Sequence, residues 1–179
     1  IRPRLEGRTI EGCEVRWTRT LGGLSRPAFA KAVVGAKLSR VWRRGKFLIA
    51  DLEQDGRPKG ALVGHLRMTG RVHVEPHDWD AGPYLKVKLA LDDGASFFFI
   101  DVRKFARLCY TSEPEDLLGE LGPEPLSEPF TSDWLHTALR ERGRMLKPLL
   151  MDQTFVAGIG NIYADESLFR AGIHPLARS

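Results

Sequence analysis

The spacing of apolar positions divides the chain into a strand-forming part and a helix-forming part. Between residues 8 and 110, short apolar runs are bounded by clusters of Gly, Pro and Asp, which is typical of strands joined by turns. Strands are predicted over 41–52, 61–74, 85–91 and 96–110, with a hairpin at Asp92-Asp93-Gly94 and one short helix over 27–34. Several strands at such short spacing predict an antiparallel β-sandwich or barrel.

After residue 130 the apolar period becomes helical. Ser132 is predicted to cap a helix over 133–142, and a second short helix is predicted over 146–151. Asn161 is predicted to cap a third helix that continues to Phe169 and is stopped by the glycine at position 172.

The segment between these two parts, 111–129, has its own composition. It contains six acidic residues, four prolines and no Lys or Arg, which predicts a linker. The predicted architecture is therefore α+β, with a β-sandwich domain over 1–110 whose first helix is incomplete, the linker, and a helical domain over 130–179. Both ends are expected to be truncated, because the chain begins at Ile1 in what resembles the end of a helix.

Charge is unevenly distributed although the net charge is only +4. Residues 1–50 carry 12 Lys or Arg against 3 Glu, whereas residues 51–179 carry 15 against 20 acidic residues. This asymmetry suggests an anionic partner for one face, but many basic segments are simply solvated. Cys13 and Cys109 lie far apart and form no C-x-x-C pair, so neither a disulfide framework nor a zinc site is expected within these residues.

The strongest local motif is Gly158-Ile159-Gly160-Asn161. Two glycines allow the backbone to approach a ligand closely, and the helix start that follows presents unpaired N–H groups suited to a phosphate. Taken alone, the motif more simply indicates a tight turn between helices followed by an ordinary cap.

Further blocks accompany this motif in a specific order along the chain. They are His65-Leu66-Arg67-Met68-Thr69-Gly70, Asp101-Val102-Arg103-Lys104-Phe105, Leu121-Gly122-Pro123-Glu124-Pro125-Leu126-Ser127, Lys147 to Tyr163, and Ala171-Gly172-Ile173-His174-Pro175. This ordered set resembles the formamidopyrimidine-DNA glycosylases over nearly the whole chain. The resemblance implies an N-terminal β-sandwich, then a helix-two-turns-helix domain, then a zinc finger that these residues do not include, with DNA held between the two halves.

The resemblance also implies a group of residues that fill the hole left when a damaged nucleotide is flipped out of the duplex. These void-filling residues are Met68, Arg103 and Phe105, and inserted apolar or planar groups recover part of the unstacking cost. Without the family pattern, Met68 and Phe105 would more simply be core residues. Ala106 departs from the glycine usual in the family, which leaves the path of this loop open.

Phosphate-binding and catalytic roles are implied for basic and polar residues elsewhere. Lys46 corresponds to a lysine that contacts the phosphate beside the lesion and donates a proton during β-elimination, although by itself it could be a solvated base at a strand end. His65, Arg142, Lys147 and Asn161 correspond to further DNA-binding positions, and Arg103 is assigned to this group as well. Tyr84 lies near a position where many members carry a DNA-contacting histidine, and that role is not transferred to it.

The chemistry implied by the resemblance is base excision. The secondary amine of an amino-terminal proline attacks the anomeric carbon of the sugar, expels the base and forms an iminium that permits β- and δ-elimination. The nitrogen of Pro3 is an amide inside the chain, so the chain as printed, without the proline and the glutamate after it, is expected to be inactive. No metal site is expected here, and one structural zinc is expected in the full-length family protein.

Three classes of function are open from the sequence: a bifunctional glycosylase and abasic-site lyase, a non-catalytic relative that binds damaged DNA or abasic sites, and a structural domain that retains only the fold. The first is favoured and implies removal of oxidised purines such as 8-oxoguanine and formamidopyrimidines. The expected partner is double-stranded DNA carrying such lesions, bound by a monomer in the bacterial cytoplasm at the nucleoid, with no membrane association.

Overall fold

The computed structural model describes the whole chain, Ile1–Ser179, and divides into two compact units. The first unit comprises residues 1–43 and 47–117, and the second comprises residues 44–46 and 118–179. In chain order the elements are α1 (Arg2–Leu5), β1 (Ile10–Val15), a 3₁₀ helix (Thr18–Leu21), α2 (Arg26–Val33), β2 (Lys37–Arg44), β3 (Phe47–Gln54), β4 (Arg57–His65), β5 (Gly70–Pro76), β6 (Leu85–Leu91), β7 (Ala95–Asp101), β8 (Arg107–Thr111), α3 (Pro114–Leu118), α4 (Ser132–Arg140), α5 (Leu146–Met151) and α6 (Asn161–Arg170).

Two four-stranded sheets form the first unit. One sheet has the strand order β1-β6-β7-β5 and the other has the order β2-β3-β4-β8. The β1–β6, β6–β7, β5–β7, β3–β4 and β4–β8 pairs are all antiparallel. The expected N-terminal antiparallel β-sandwich is therefore confirmed.

Side chains from both sheets and from α2 share one hydrophobic core. Phe29 of α2, Val87 of β6 and Phe99 of β7 are completely buried, and Leu62 of β4 joins them from the other sheet. Burial of each such side chain stabilises the fold by roughly 1.5–3 kcal/mol. The loops that follow β4 and β7 carry predicted site residues, and this core supports them.

Three of the predicted strands are each two strands in the structure. The predicted 41–52 strand is interrupted at Gly45, whose φ of 53° lies in the left-handed region and closes the turn between β2 and β3. The predicted 61–74 and 96–110 strands are likewise broken, by the segments 66–69 and 102–106. Apolar residues continue across the second and third of these breaks, so the pattern alone did not reveal them. The hairpin between β6 and β7 lies where it was predicted.

The second unit contains α4, α5 and α6 around a smaller core. Leu149, Val156 and Ala164 are fully buried at its centre. Two predicted caps are wrong by one residue. The hydroxyl of Thr131, not Ser132, accepts the N–H of Trp134 at 3.1 Å.

At the third helix of this unit, Gly160 occupies the cap position of α6, which makes Asn161 the first residue inside the helix. The helix continues to Arg170, and Gly172 follows it with φ 66°. Residues 111–129, where a linker was predicted, include the short helix α3. No helix in Ile1–Ser179 combines the length and the apolar character needed to cross a bilayer.

Candidate functional site

Three exposed side chains of the first unit form a contiguous cluster at the ends of β4 and β7. Met68 is 71% exposed and Phe105 is 52% exposed, both unusually high for apolar residues. Arg103 joins them, because its Nη1 donates to Met68 Sδ at 3.2 Å and its Cζ lies 5.3 Å from the centroid of the Phe105 ring. The structure thus brings together the three residues expected to fill a void, and neither apolar member lies in the core.

Asp101, at the end of β7, holds this cluster in place. Its carboxylate is buried, with the residue only 1% exposed, and it accepts the N–H of Ala106 at 2.8 Å and of Arg103 at 3.2 Å. The hydroxyl of Thr69 donates to the same carboxylate at 2.5 Å, which joins the loop of Met68 to the loop of Phe105. Burial raises the pKa of Asp101, but these hydrogen bonds together outweigh it, so the pKa lies below its ordinary value.

The backbone of both loops is locally strained. Arg67 has φ 54° and Lys104 has φ 62°, and they are two of the three non-glycine residues with positive φ in the chain. Each precedes one of the exposed apolar side chains, a placement common at binding sites. Ala106 has no positive φ and is fully buried, so its alanine fits the loop without the freedom of a glycine.

His65 ends β4 just before the loop that carries Met68. Its Nδ1 accepts the N–H of Arg67 at 3.1 Å, and its ring lies edge-on to Phe47 at 5.0 Å between centroids. The imidazole is therefore oriented by its neighbours on this side of the first unit. Tyr84, which received no role from the sequence, contributes its carbonyl oxygen to the N–H of Asp101.

In the second unit, the start of α6 presents backbone N–H groups at the surface. No side chain caps this helix, and the residues of its first turn, Asn161, Ile162 and Tyr163, are exposed. The unpaired N–H groups of a helix start carry partial positive charge and favour an anion. Ten residues of helix, Asn161–Arg170, contribute to that dipole.

Lys46 lies against this helix start. Its Nζ donates to the carbonyl oxygen of Ile159 at 2.8 Å. A Cβ at Gly160 would come within 3.2 Å of the same Nζ, so the absent side chain at that position leaves room for the lysine. The lysine ammonium therefore lies beside the start of α6, where a positive charge and unpaired N–H groups can both interact with an anion.

Gln153 shapes the turn that precedes α6, a role that the sequence did not reveal. Its Oε1 accepts the N–H of Gly158 at 3.0 Å, and its Nε2 donates to the carbonyl oxygens of Met151 and Ile159, each at 2.8 Å. Glutamine lies within one of the family blocks, but its residue type gives no sign of which backbone groups it meets. Asp101 was missed for the same reason.

The segment 44–46 is fixed to the rest of the second unit by a charged network. Arg44 donates to the carbonyl oxygens of Leu121 and Gly122 at 2.9 and 2.7 Å, and its Nη1 lies 3.2 Å from a carboxylate oxygen of Glu124. The same carboxylate accepts the N–H of Gly45 at 2.5 Å. This network orients the backbone from which Lys46 extends.

The two remaining predicted residues of this unit have intramolecular partners. Lys147 of α5 forms an ion pair with Asp165 of α6 at 2.7 Å. The guanidinium carbon of Arg142 lies 5.9 Å from the centroid of the Phe155 ring. The structure thus shows Lys147 joining two helices and Arg142 beside the small core, and contact with a ligand remains a prediction for both.

The family resemblance implies a structural zinc, and the described residues do not fit one. Among residues Ile1–Ser179, no group of three or more His, Cys, Asp or Glu side chains is placed to hold a metal ion. Cys13 and Cys109 are both free thiols, and burial raises the pKa of Cys13 to about 11, which opposes the thiolate that zinc requires.

Comparison with known protein families agrees with this architecture. Residues 1–108 match the formamidopyrimidine-DNA glycosylase N-terminal domain, and residues 121–179 match the formamidopyrimidine-DNA glycosylase H2TH domain. The two matched segments together cover most of the chain. They define a chain with a β-sandwich followed by a helix-two-turns-helix domain.

Individual relatives give the same result. The formamidopyrimidine-DNA glycosylase of Protochlamydia amoebophila is 39% identical over 173 residues, and that of Desulfitobacterium hafniense is 42% identical over 172 residues. These alignments cover 97% and 94% of this chain, but 61% of each relative. The chain belongs to the formamidopyrimidine-DNA glycosylase family, and it spans about three fifths of the length of these relatives.

Solved structures with the same fold carry DNA. A Lactococcus lactis Fpg in complex with DNA containing an abasic site superposes with a TM-score of 0.87 at 30% identity, covering 99% of this chain and 65% of that one. A complex of the Lactococcus lactis enzyme with DNA containing FAPY-dG gives a TM-score of 0.86 at 31% identity, covering 99% and 66%.

Proposed function

We propose that this protein is a base-excision repair DNA glycosylase with abasic-site lyase activity. Its substrate is duplex DNA carrying an oxidised purine, such as 8-oxoguanine or a formamidopyrimidine, and it nicks the strand by β- and δ-elimination. Membership of the family supports the reaction class, and the Lactococcus lactis complexes with abasic and FAPY-dG DNA support the substrate class.

The observation that carries the proposal is the position of Lys46 beside the open start of α6. Its ammonium lies 2.8 Å from the carbonyl oxygen of Ile159, one residue before the cap of that helix. A phosphate bound there would meet the N–H groups of the helix and a positive charge together. Asn161, exposed at the first helical position, adds a side-chain amide to the same site.

The exposed cluster of the first unit supplies a second requirement of the reaction. A base must leave the stack before an amine can reach its sugar, and the vacated space must be filled. Met68 and Phe105 are apolar and already exposed, while Arg103 adds a planar cation that contacts both. Because the cluster is held by a buried carboxylate, little ordering is needed when it enters the duplex.

The proposed chemistry is covalent. In the family the nucleophile is an amino-terminal proline, whose amine forms a bond to C1′ while the bond from C1′ to the base breaks. Loss of a proton at C2′ then expels the phosphate on the 3′ side. In this proposal Lys46 contacts the phosphate next to the lesion and donates a proton, since an ammonium that binds a phosphate is close to the departing oxygen.

Borohydride trapping tests the proposal. The protein with its native amino terminus is incubated with a duplex that carries one abasic site, and borohydride reduces any iminium to a stable adduct. We expect an adduct of one protein per strand, and slower strand cleavage for Lys46→Met than for the wild type. Lys37→Met, which removes an exposed lysine of β2, is the matched control and should cleave at the wild-type rate.

Two outcomes would contradict the enzyme. Tight binding of the abasic duplex without any trapped adduct would identify a non-catalytic binder of damaged DNA instead. Absence of both binding and trapping would remove DNA repair altogether. The proposal includes a monomer located in the bacterial cytoplasm at the nucleoid, because the substrate is chromosomal DNA, and one structural zinc in the full-length family protein.

A further inference from the structure

One side-chain amide hydrogen-bonds to three backbone groups in the turn that joins α5 to α6. Oε1 of Gln153 accepts one backbone N–H, at Gly158, and its Nε2 donates to two backbone carbonyls, at Met151 and Ile159. Both ends of the amide therefore bridge the last residue of α5 and the residues just before the cap of α6.

The carbonyl oxygen of Ile159 is shared. It accepts Nε2 of Gln153 and Nζ of Lys46, each at 2.8 Å. A carbonyl oxygen has two lone pairs, and these two donors occupy both. Gln153 and Lys46 therefore meet at one carbonyl, which lies one residue before the cap of α6.

We propose that Gln153 is a positioning residue for Lys46: it fixes the carbonyl of Ile159 and so holds the lysine ammonium at the phosphate-binding start of α6. This inference rests on the proposed function, because it concerns the same site. This role differs from a general contribution to folding, because it orients one pair of atoms, the carbonyl oxygen of Ile159 and Nζ of Lys46. The side chains of Gln153 and Lys46 should therefore be energetically coupled.

Glutamine is better suited to this position than glutamate. A glutamate at position 153 could still accept the N–H of Gly158, but its second oxygen would repel the carbonyl of Ile159 and attract the ammonium of Lys46. The lysine would then pair with the new carboxylate rather than with a phosphate. Methionine, which is similar in length and uncharged, would remove the bridge without offering the lysine a new partner.

The test compares Gln153→Glu with Gln54→Glu. Gln54 is the matched control, because its side-chain oxygen also accepts a lysine ammonium, that of Lys59, within the β3–β4 hairpin of the other unit. Affinity for an abasic-site duplex is measured across a series of salt concentrations. Loss of one lysine–phosphate contact should reduce the slope of log K against log salt by about 0.9 for Gln153→Glu. Gln54→Glu should keep the wild-type slope.

Single-turnover β-elimination on a preformed abasic site gives the second measurement. We expect the rate to fall by about tenfold or more for both Gln153→Glu and Gln153→Met, because a misdirected donor loses the benefit of orientation. Gln153→Met should keep the wild-type salt slope. The difference in salt slope between Gln153→Glu and Gln153→Met distinguishes neutralisation of the Lys46 ammonium by a carboxylate from a change in its position alone.

A double-mutant cycle with Lys46→Met, with rates referred to the folded fraction of each variant, tests whether the two residues act together. If Gln153 acts through Lys46, Gln153→Met should slow elimination much less in the Lys46→Met background than in the wild type. Equal effects in both backgrounds, or an unchanged salt slope for a folded Gln153→Glu, would overturn the inference while leaving the proposed function intact. Failure of the wild type to bind or trap abasic DNA would instead remove the proposed function.

Discussion

Lys46 Nζ and Gln153 Nε2 converge on one acceptor, the carbonyl oxygen of Ile159, at 2.8 Å each. Lys46 comes from a segment more than one hundred positions earlier in the chain than the other two residues. The segment 44–46 nevertheless belongs to the same compact unit as α5 and α6. Lys46, from the turn between β2 and β3, thus lies at the start of α6. Neither the lysine nor the helix start alone would bind a phosphate strongly.

Gly160→Ala tests this arrangement directly. The added Cβ would lie 3.2 Å from Lys46 Nζ and 3.5 Å from Lys46 Cε, so the lysine must move, whereas the φ of −119° at this position suits alanine. We expect β-elimination on abasic DNA to slow by about tenfold, since displacement of a catalytic group by a fraction of an ångström is costly. The free energy of unfolding should change by under about 1 kcal/mol.

Gly12→Ala is the matched control for this substitution. Its Cβ would meet only the Cβ of Ala90, at 3.4 Å, in the other unit. Elimination should proceed at the wild-type rate in this variant. An equal rate for Gly160→Ala and the wild type, measured by single-turnover kinetics, would show that elimination does not depend on the position of Lys46 beside Gly160.

The exposed apolar residues of the first unit give a second prediction. Phe105→Ala and Met68→Ala should each weaken binding of an abasic-site duplex by about 1–3 kcal/mol, the range found when a side chain that stacks on bases is truncated. Because both residues are more than half exposed, the free energy of unfolding should change by no more than about 0.5 kcal/mol. Fluorescence anisotropy and urea denaturation measure the two quantities.

Leu126→Ala serves as the control for loss of an exposed apolar side chain. Leu126 is 97% exposed and belongs to the second unit, so both binding and stability should stay at their wild-type values. A loss of 3 kcal/mol or more in stability for Phe105→Ala, without a change in DNA binding, would contradict a void-filling role for Phe105 and indicate a core residue.

The sequence was a good guide to the fold wherever residue pattern and local chemistry agree. Strand β6 and the hairpin after it were predicted correctly, because alternating apolar residues end at Asp92-Asp93-Gly94. The breaks within 61–74 and 96–110 were missed, since loops of the site carry apolar residues such as Met68 and Phe105 for reasons other than packing. The loops of the site therefore continue the apolar pattern of the strands on either side of them. The break within 41–52 is a two-residue polar turn at Gly45, and it was missed because it is so short.

Site residues divide in a similar way. Family resemblance pointed to Lys46 and Asn161. In the structure, Lys46 hydrogen-bonds to the carbonyl oxygen of Ile159, and Asn161 begins α6 two residues later. Gln153 and Asp101 were not predicted to have a role. Their contribution depends on which backbone N–H and C=O groups surround them, and that becomes known only when the turns are in place.

Asp101 links the stability of the fold to the position of Met68 and Phe105, and this gives a third prediction. Asp101→Asn should lower the free energy of unfolding by about 2–3 kcal/mol, because one carboxylate oxygen that accepts backbone N–H groups becomes an NH₂ donor. Lesion binding should weaken as well, since the loops of Met68 and Phe105 lose their common anchor. Urea denaturation and anisotropy measure both effects.

Asp80→Asn is the control for this change. Asp80 accepts the N–H of Gly82 at 2.8 Å in an exposed turn, where an asparagine oxygen can accept the same bond. Its stability should remain within about 0.5 kcal/mol of the wild type. Similar values for Asp101→Asn and Asp80→Asn would mean that the buried carboxylate does not anchor the loops.

The lowered pKa of Asp101 predicts how its contribution varies with pH. A carboxyl group whose pKa is lower in the folded state stabilises the fold at pH values above its unfolded pKa of about 3.9, and the stabilisation is lost as the pH falls through the folded value. The difference in unfolding free energy between the wild type and Asp101→Asn should therefore be constant from pH 7 to pH 5 and shrink below about pH 4. If burial dominated and raised the pKa, the folded state would bind the proton more tightly than the unfolded state, and the difference would instead increase as the pH fell from a value above the ordinary pKa. Urea denaturation of both proteins at pH 7, 5, 4 and 3.5 distinguishes these two signs.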